Sequence, residues 1–159
     1  MNTKIKSMEE KLSEEWGLNT AEDIRDKIFE NYTDNSSLTD ILEAEKLVAC
    51  SYALGKILAS YKVGLKTAQL RRFYESLINI RAITGATGDS RDVKKLRHEI
   101  VMLKPQLANA KARQQREVTP FFDVINPMLD IVKDAEDYEI LCKFVEAVVA
   151  YHKYCGGRD

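Results

Sequence analysis

The sequence has few of the features that mark metalloenzymes, secreted proteins or membrane proteins. Its 159 residues include 3 cysteines, 2 histidines, 3 prolines and 7 glycines. No apolar run approaches the roughly 18–20 residues that a membrane-spanning helix needs. The first residues, MNTKIKSMEEKLSEEW, are charged throughout and lack the apolar stretch of a secretory signal. We therefore expect a cytoplasmic protein with no membrane partner.

The residues that usually carry catalysis are scarce. Cys50, Cys142 and Cys155 are scattered and do not form the paired spacing of a zinc site or a disulfide framework, so we expect buried thiols. There is no HExxH motif, no glycine-rich phosphate loop and no nucleophile elbow. His152 falls in a wide apolar arc, which favours a core histidine bonded to a carbonyl or carboxylate over a catalytic base. The sequence predicts no enzymatic activity, no catalytic residue, no metal site and no cofactor.

The patterns that are present are helical. Proline and glycine are sparse, and no sustained apolar–polar alternation suggests a sheet. A composition of 45% hydrophobic and 31% charged residues is typical of a globular domain. We predict an all-α fold, an irregular helical bundle of about five to seven helices. The turn-rich NYTDNSSL at residues 31–38 divides it into a helical extension, residues 1–35, and a bundle domain, residues 36–159.

Capping and breaking residues predict where the helices begin and end. Residues 4–16 should form a short helix, and Thr20 should cap the second. The other predicted features are a helix from about Thr39 to Tyr61 ended by Gly64, a helix capped by Thr67, a loop at residues 84–89, a helix capped by Asp89 or Ser90 through about Leu103, new starts at Lys104-Pro105 and Thr119-Pro120, and a last helix from about Asp134 to Tyr154.

The net charge of −1 hides a strongly uneven distribution of charge along the chain. Residues 1–61 carry 7 Lys and Arg against 12 Asp and Glu, and residues 117–159 carry 4 against 9. Between them, residues 62–116 carry 13 against 4, a net +9. A basic middle segment between two acidic ones indicates an anionic partner, because local charge selects such partners.

The candidate binding residues lie in this basic segment. Guanidinium groups hold phosphates with two hydrogen bonds and stack on bases, which suits them to single-stranded nucleic acid. Arg71 and Arg72 lie off the apolar face of their helix, whereas Phe73 and Tyr74 belong to that face and should pack in the core. We select eight residues as candidates for RNA binding: Lys66, Arg71, Arg72, Arg81, Lys104, Lys111, Arg113 and Arg116. The same charges could instead dock acidic proteins, including the acidic segments of this chain.

Three stretches resemble successive signature segments of one family. LKTAQLRRFYESL, LKPQLANAKAR and KFVEAVVAYHKYCGG are similar to segments of the small subunit of type III-A (Csm) CRISPR effector complexes. The resemblance covers roughly residues 40–157. Arg71 matches the arginine of the first segment, and Arg113 matches the one that closes the alanine-rich segment. The other six candidates depend on charge alone.

The resemblance implies an all-helical, non-catalytic subunit that contacts the guide RNA–target RNA duplex through basic residues in antiviral defence. It implies as partners a repeated backbone subunit, a large polymerase-like subunit and further copies of the chain itself. Two other functions remain open. A helical scaffold would dock acidic subunits without touching RNA, and a metal-dependent nuclease is disfavoured because no carboxylate–histidine cluster is evident.

Overall fold

The structure, a computed structural model, describes the backbone of residues 5–84 and 90–159 and the side chains of residues 5–82 and 93–159. This part of the chain forms eight helices and no strand, which confirms the predicted all-α bundle. The helices are α1 (Met8–Glu15), α2 (Ala21–Ile28), α3 (Leu38–Ile41), α4 (Ala44–Ala59), α5 (Thr67–Thr84), α6 (Ser90–Arg113), α7 (Gln115–Asp130) and α8 (Ala135–Tyr154). The predicted loop at residues 84–89 and the cap at Asp89 or Ser90 lie outside the described side chains.

Side chains cap several helices where the sequence indicates. Thr20 Oγ1 accepts from the backbone N–H of Asp23, and the Asp23 carboxylate accepts from the N–H of Thr20, both at 3.1 Å. This reciprocal pair satisfies N–H groups that have no partner inside the helix. Asp134 caps α8. Gly64 follows α4 with φ +67°, a conformation that glycine adopts without strain. The predicted helix starts at Thr20 and Asp134 are confirmed, whereas α4 already ends at Ala59 with Ser60 as its C-cap, four residues before Gly64.

The single helix predicted from Thr39 to Tyr61 was wrong, because the chain breaks between α3 and α4. Leu42, at φ −116° and ψ 75°, leaves the helical conformation and is only 2% exposed. Asp137 of α8 holds the preceding turn, since its Oδ1 accepts from the backbone N–H and the hydroxyl of Thr39 at 2.9 and 2.7 Å. A contact with the buried carboxylate of a distant helix therefore accompanies the break in the local helical pattern.

Two predicted helix starts at prolines were also wrong. Pro105 lies inside α6, and Pro120 lies inside α7. On α6, Leu103 and Leu107 on either side of Pro105 are both buried, so packing holds the helix through the proline. Pro105 itself is exposed, which leaves room for its ring and for water at the carbonyl that it cannot bond.

The helices share one hydrophobic core. α4 packs most extensively on α8, α6 packs on α7, and α5 contacts both α6 and α8. Ile24 and Ile28 of α2 are buried in the same cluster as the residues of the later helices. Cys50 and Cys142 are buried as predicted, whereas Cys155 is only half-buried. Burial raises the pKa of Cys50 to about 12 and that of Cys142 to about 11. Across the described residues, no helix is both long and apolar enough to span a membrane.

Candidate nucleic-acid interface

A cleft of about 280 Å³ lies between α5, the second half of α6 and the start of α7. We call it the α5–α7 cleft. Its apolar residues are Leu65, Leu70, Phe73, Leu107, Ala110, Val118 and Phe121. Phe73 and Phe121 meet edge to face, with ring centroids 5.2 Å apart at an interplanar angle of 80°. Phe121 is buried and Phe73 is half-buried, so an aromatic edge of the core is open to the cleft.

The helical period explains why α5 contributes both apolar and charged groups to the cleft. Leu70, Leu77 and Ile80 are buried, while Phe73 packs against the core from a half-buried position. Core packing of this face confirms the prediction for Phe73. Arg72 is adjacent to Phe73 and points away from the buried row, so it lines the cleft at its exposed edge. The helix α5 thus places the guanidinium of Arg72 beside the half-buried ring of Phe73.

Two arginines from distant parts of the sequence meet at the cleft. Arg72 lies on α5, and Arg113 is the last residue of α6. Both are exposed, and neither forms an ion pair with a described residue. The described lining of the cleft contains no aspartate or glutamate. The cleft therefore carries two positive charges that form no ion pair with the described residues.

Neutral amides line the rest of the cleft. Gln106, Asn109 and Gln114 are exposed, and their side chains form no hydrogen bond with the described residues. By contrast, Gln69 accepts from the backbone N–H of Lys66 at 3.2 Å, and Ser76 donates to the carbonyl of Arg72 at 3.1 Å. Three carboxamides, each a donor and an acceptor, are therefore available to a ligand.

A second, shallower depression adjoins the cleft at the start of α5. It is lined by Arg71 and Arg72 together with Glu75 and Asp159. Arg71 forms no ion pair with the described residues, although two carboxylates share its depression. Lys66, immediately before α5, is exposed and its ammonium is likewise unpaired within the described chain. Arg72 lines both depressions and joins them into one basic surface.

The other four sequence candidates pair with acidic residues of the fold. Arg81 bonds Glu139 of α8 at 2.7 Å, and Lys104 forms an ion pair with Asp130 of α7. The remaining pairs are Lys111 with Asp123 at 3.9 Å and Arg116 with Glu117 at 2.9 Å. Lys111 also lies 4.4 Å from the centre of the Phe122 ring. All four acids belong to the acidic C-terminal segment, which folds against the basic one.

Arg97 has a structural role that the sequence analysis did not identify. Its guanidinium donates to the carbonyls of Leu129, Asp130 and Val132 at 2.8, 3.1 and 3.0 Å. Those carbonyls are at the end of α7, where backbone acceptors have no partner inside the helix. A planar group with five N–H donors suits three acceptors at once. Charge count alone could not separate this arginine from the unpaired ones.

His152 fixes the start of α5 from inside the core. It is fully buried, with Nε2 2.6 Å from the carbonyl of Leu65 and Nδ1 3.3 Å from Thr67 Oγ1. Burial lowers its pKa from the usual 6.5, so the ring is neutral, donates to Leu65 and accepts from Thr67. The prediction of a core histidine bonded to a carbonyl is confirmed. Thr67 does not cap α5 as predicted, because the carbonyl of Lys66 accepts the first helical bonds.

The described side chains contain no group of three His, Cys, Asp or Glu residues placed to hold a metal ion.

A model of the family described as Csm2 Type III-A matches residues 42–158. The chain belongs to the Csm2 type III-A family. Comparison with curated proteins and with solved structures gave no match. Family membership makes the chain a type III-A CRISPR effector small subunit and places it in a Csm complex with other subunits.

The Csm2 match confirms the resemblance seen in the three sequence segments. It includes α4 to α8 and every residue that lines the α5–α7 cleft. The helices α1, α2 and α3 lie outside it. The cleft is therefore a feature of the Csm2 part of the chain.

Proposed function

We propose that this chain is a non-catalytic, RNA-contacting small subunit of a type III-A effector complex, and that the α5–α7 cleft and the basic surface beside it contact the RNA. In this proposal the ligand is the guide RNA–target RNA of the complex, bound in antiviral defence in the cytoplasm. The repeated backbone subunit, the large polymerase-like subunit and further copies of the chain are its protein partners.

The observation that carries the proposal is the pair of unpaired arginines at the α5–α7 cleft. Four of the eight candidates already have carboxylate partners, so their charge is largely neutralised within the fold. Among the residues that the structure describes, Arg72 and Arg113 have none, and neither do Arg71 and Lys66. Guanidinium groups with free donors bind phosphate oxygens strongly. We therefore place the RNA backbone along Lys66, Arg71, Arg72 and Arg113.

A non-catalytic role agrees with the environment of the two histidines. Both ring nitrogens of His152 face partners of the fold, and burial keeps the ring neutral. His98 is exposed on α6, and the described residues around it supply no cluster of ligands for a metal. General-base catalysis needs a side chain that can reach the substrate, and His152 does not meet that need. We accordingly assign RNA cleavage to other subunits of the complex.

The test is RNA binding by the full-length chain across a salt series. We expect log affinity for single-stranded RNA to fall with log salt at about −0.7 per phosphate neutralised. The variant Arg72→Ala with Arg113→Ala should bind more weakly, because each lost charge-assisted contact costs about 1.5–3 kcal/mol. Its slope against salt should also become shallower.

The matched control removes two positive charges elsewhere. Lys11 of α1 and Lys143 of α8 are exposed, and their ammonium groups are unpaired among the described residues. Lys11→Ala with Lys143→Ala should retain most of the RNA affinity. An affinity that is indifferent to salt, or an equal loss in the control, would contradict the proposed contact surface. Failure of the purified chain to bind RNA at any salt would favour the scaffold function instead.

A further inference from the structure

We propose that the α5–α7 cleft binds one unpaired nucleobase, which turns out of the RNA strand between phosphates held by Arg72 and Arg113. The inference rests on the proposed RNA-binding function and adds a base-specific contact to it. It does not follow from charge alone, because a phosphate backbone could cross a flat basic surface equally well.

The size of the cleft suits a single base. Clefts that enclose drug-sized ligands measure about 300–1,000 Å³. At about 280 Å³, the α5–α7 cleft is slightly smaller than this range. A duplex is far too large to enter it, and a whole nucleotide would have to leave its phosphate outside. The arginines at the exposed edge are placed to hold that phosphate.

The apolar floor suits a planar aromatic ligand. Leu70, Leu107 and Val118 are buried beneath the cleft, and the half-buried Phe73 presents an aromatic ring that Phe121 supports from below. Bases favour such surfaces, since every base has a π face and stacks on aromatic side chains. An unpaired base would cover Phe73 and remove an apolar edge from water.

The three unpaired carboxamides distinguish a base from an acidic peptide. Each of these side chains, on Gln106, Asn109 and Gln114, has an N–H donor beside a carbonyl acceptor and carries no charge. The edges of bases present the same combination of groups. Asparagine and glutamine bind adenine with two hydrogen bonds for this reason. An acidic peptide would need cations along its length, whereas the cleft supplies two, Arg72 and Arg113, together with three uncharged amides. The lining chemistry therefore favours a nucleobase.

The experiment compares two single-stranded ligands with equal phosphate charge. One is oligoadenylate of about eight nucleotides, within the usual range of single-strand sites, and the other is an abasic oligomer of the same length. The tested variant is Gln106→Ala with Asn109→Ala, since both residues are exposed and their side chains make no bond to the described fold. Asn79→Ala is the matched control, because Asn79 is exposed on α5 outside the cleft.

We expect the wild-type chain to bind oligoadenylate at least about fivefold more tightly than the abasic oligomer, the lower end of what stacking of one base contributes. The Gln106→Ala, Asn109→Ala variant should lower this ratio, because it removes hydrogen bonds to the base and leaves Phe73 to stack, while its affinity for the abasic oligomer stays unchanged. Asn79→Ala should keep the wild-type ratio. Arg72→Ala with Arg113→Ala should weaken both ligands.

Three other results of this experiment would contradict the base pocket, and one of them would also contradict RNA binding. Equal wild-type affinity for both ligands would overturn the base pocket and leave the RNA-binding proposal intact. A wild-type ratio that persists in the Gln106→Ala, Asn109→Ala variant would place the base contact elsewhere, which also overturns the inference. No binding of either ligand would refute the proposed function and, with it, the pocket.

Discussion

The helix α6 uses its cations differently on the side that faces α7 and at the end that faces the cleft. Against α7, Arg97 binds three backbone carbonyls, Lys104 pairs with Asp130, and Lys111 lies near Asp123. At the cleft, Arg113 has no partner among the described residues, and neither has Arg72 across from it. The same residue types therefore hold two helices together in one region and remain available to a ligand in the other.

The comparison shows that the number of positive charges is a poor guide to a binding surface. Exposed ion pairs contribute only about 0–1 kcal/mol to stability, so Lys111 and Asp123 could exchange partners at little cost. Arg97 is different, because its partners are backbone carbonyls at the end of α7 that have no other donor outside the helix among the described residues. What separates the two regions is whether the fold supplies each cation with an acceptor.

The largest change in stability is expected for Arg97→Ala. Three carbonyls at the end of α7 would lose a charged donor, and hydrogen bonds to charged groups contribute about 1.5–3 kcal/mol each. Water can replace part of this loss, because Arg97 is only half-buried. We expect the free energy of unfolding to fall by about 1.5–3 kcal/mol in denaturant titrations, with RNA affinity of the folded protein unchanged.

Arg97→Lys is the conservative control for this prediction. A lysine keeps the charge but cannot direct donors at three acceptors in one plane, so it should recover only part of the lost stability. If Arg97→Ala weakened RNA binding as much as Arg72→Ala while leaving stability intact, the division between structural and binding cations would be wrong.

The sequence predicted the fold class and the role of His152, because both follow from periodicity. His152 lies among apolar positions on a long helix, and the structure buries it against the carbonyl of Leu65. The sequence did not predict the helix boundaries that depend on contacts between distant parts of the chain. Asp137 of α8 holds Thr39, and this contact, 98 residues apart in sequence, accompanies the break between α3 and α4. Pro105 was read as a helix start, yet buried neighbours hold α6 through it.

Only part of the candidate site was predictable. Resemblance identified Arg113 and charge identified Arg72, but nothing in the sequence indicates that these residues meet at one cleft. The amides Gln106 and Asn109 were missed. Asn109 and Arg113 follow Gln106 by three and seven positions, which places all three on one face of α6 and could have suggested a polar surface. Partners for Lys104 and Arg81 lie in a different segment of the chain, so their pairing required the structure.

The second prediction concerns how the free energy of unfolding depends on pH through His152, whose two ring nitrogens bond Leu65 and Thr67. Burial lowers the pKa of His152 in the folded state below its usual 6.5, so the unfolded chain takes up a proton first as the pH falls. The contribution of His152 to stability should be complete above 6.5, decline as the pH falls below it, and level off beneath the folded-state pKa. Denaturant titrations at several pH values measure this slope.

Two variants isolate the effect of this histidine. His152→Gln keeps a donor for the carbonyl of Leu65 but cannot be protonated, so its unfolding free energy should lack this part of the slope. His98→Gln, at an exposed position on α6, should keep the wild-type slope. An unchanged slope in His152→Gln would mean that another group controls stability in this pH range.

The smallest change in stability is expected for substitutions of Arg71 and Arg72. These variants test whether the arginines that form no ion pair with described residues bind RNA individually. Both are exposed and lack partners, so Arg71→Ala, Arg72→Ala and the double variant should each alter stability by about 0.5 kcal/mol or less. Their effects on RNA should differ. Both arginines line the depression that contains Glu75 and Asp159, whose charges offset its attraction for phosphate. Arg72 also lines the α5–α7 cleft, whose described lining has no acidic residue, whereas Arg71 does not. Arg72→Ala should therefore weaken RNA binding more than Arg71→Ala, and Glu75→Gln should strengthen it. Equal losses from the two arginines, together with no gain from Glu75→Gln, would show that the surface attracts RNA only through its total charge.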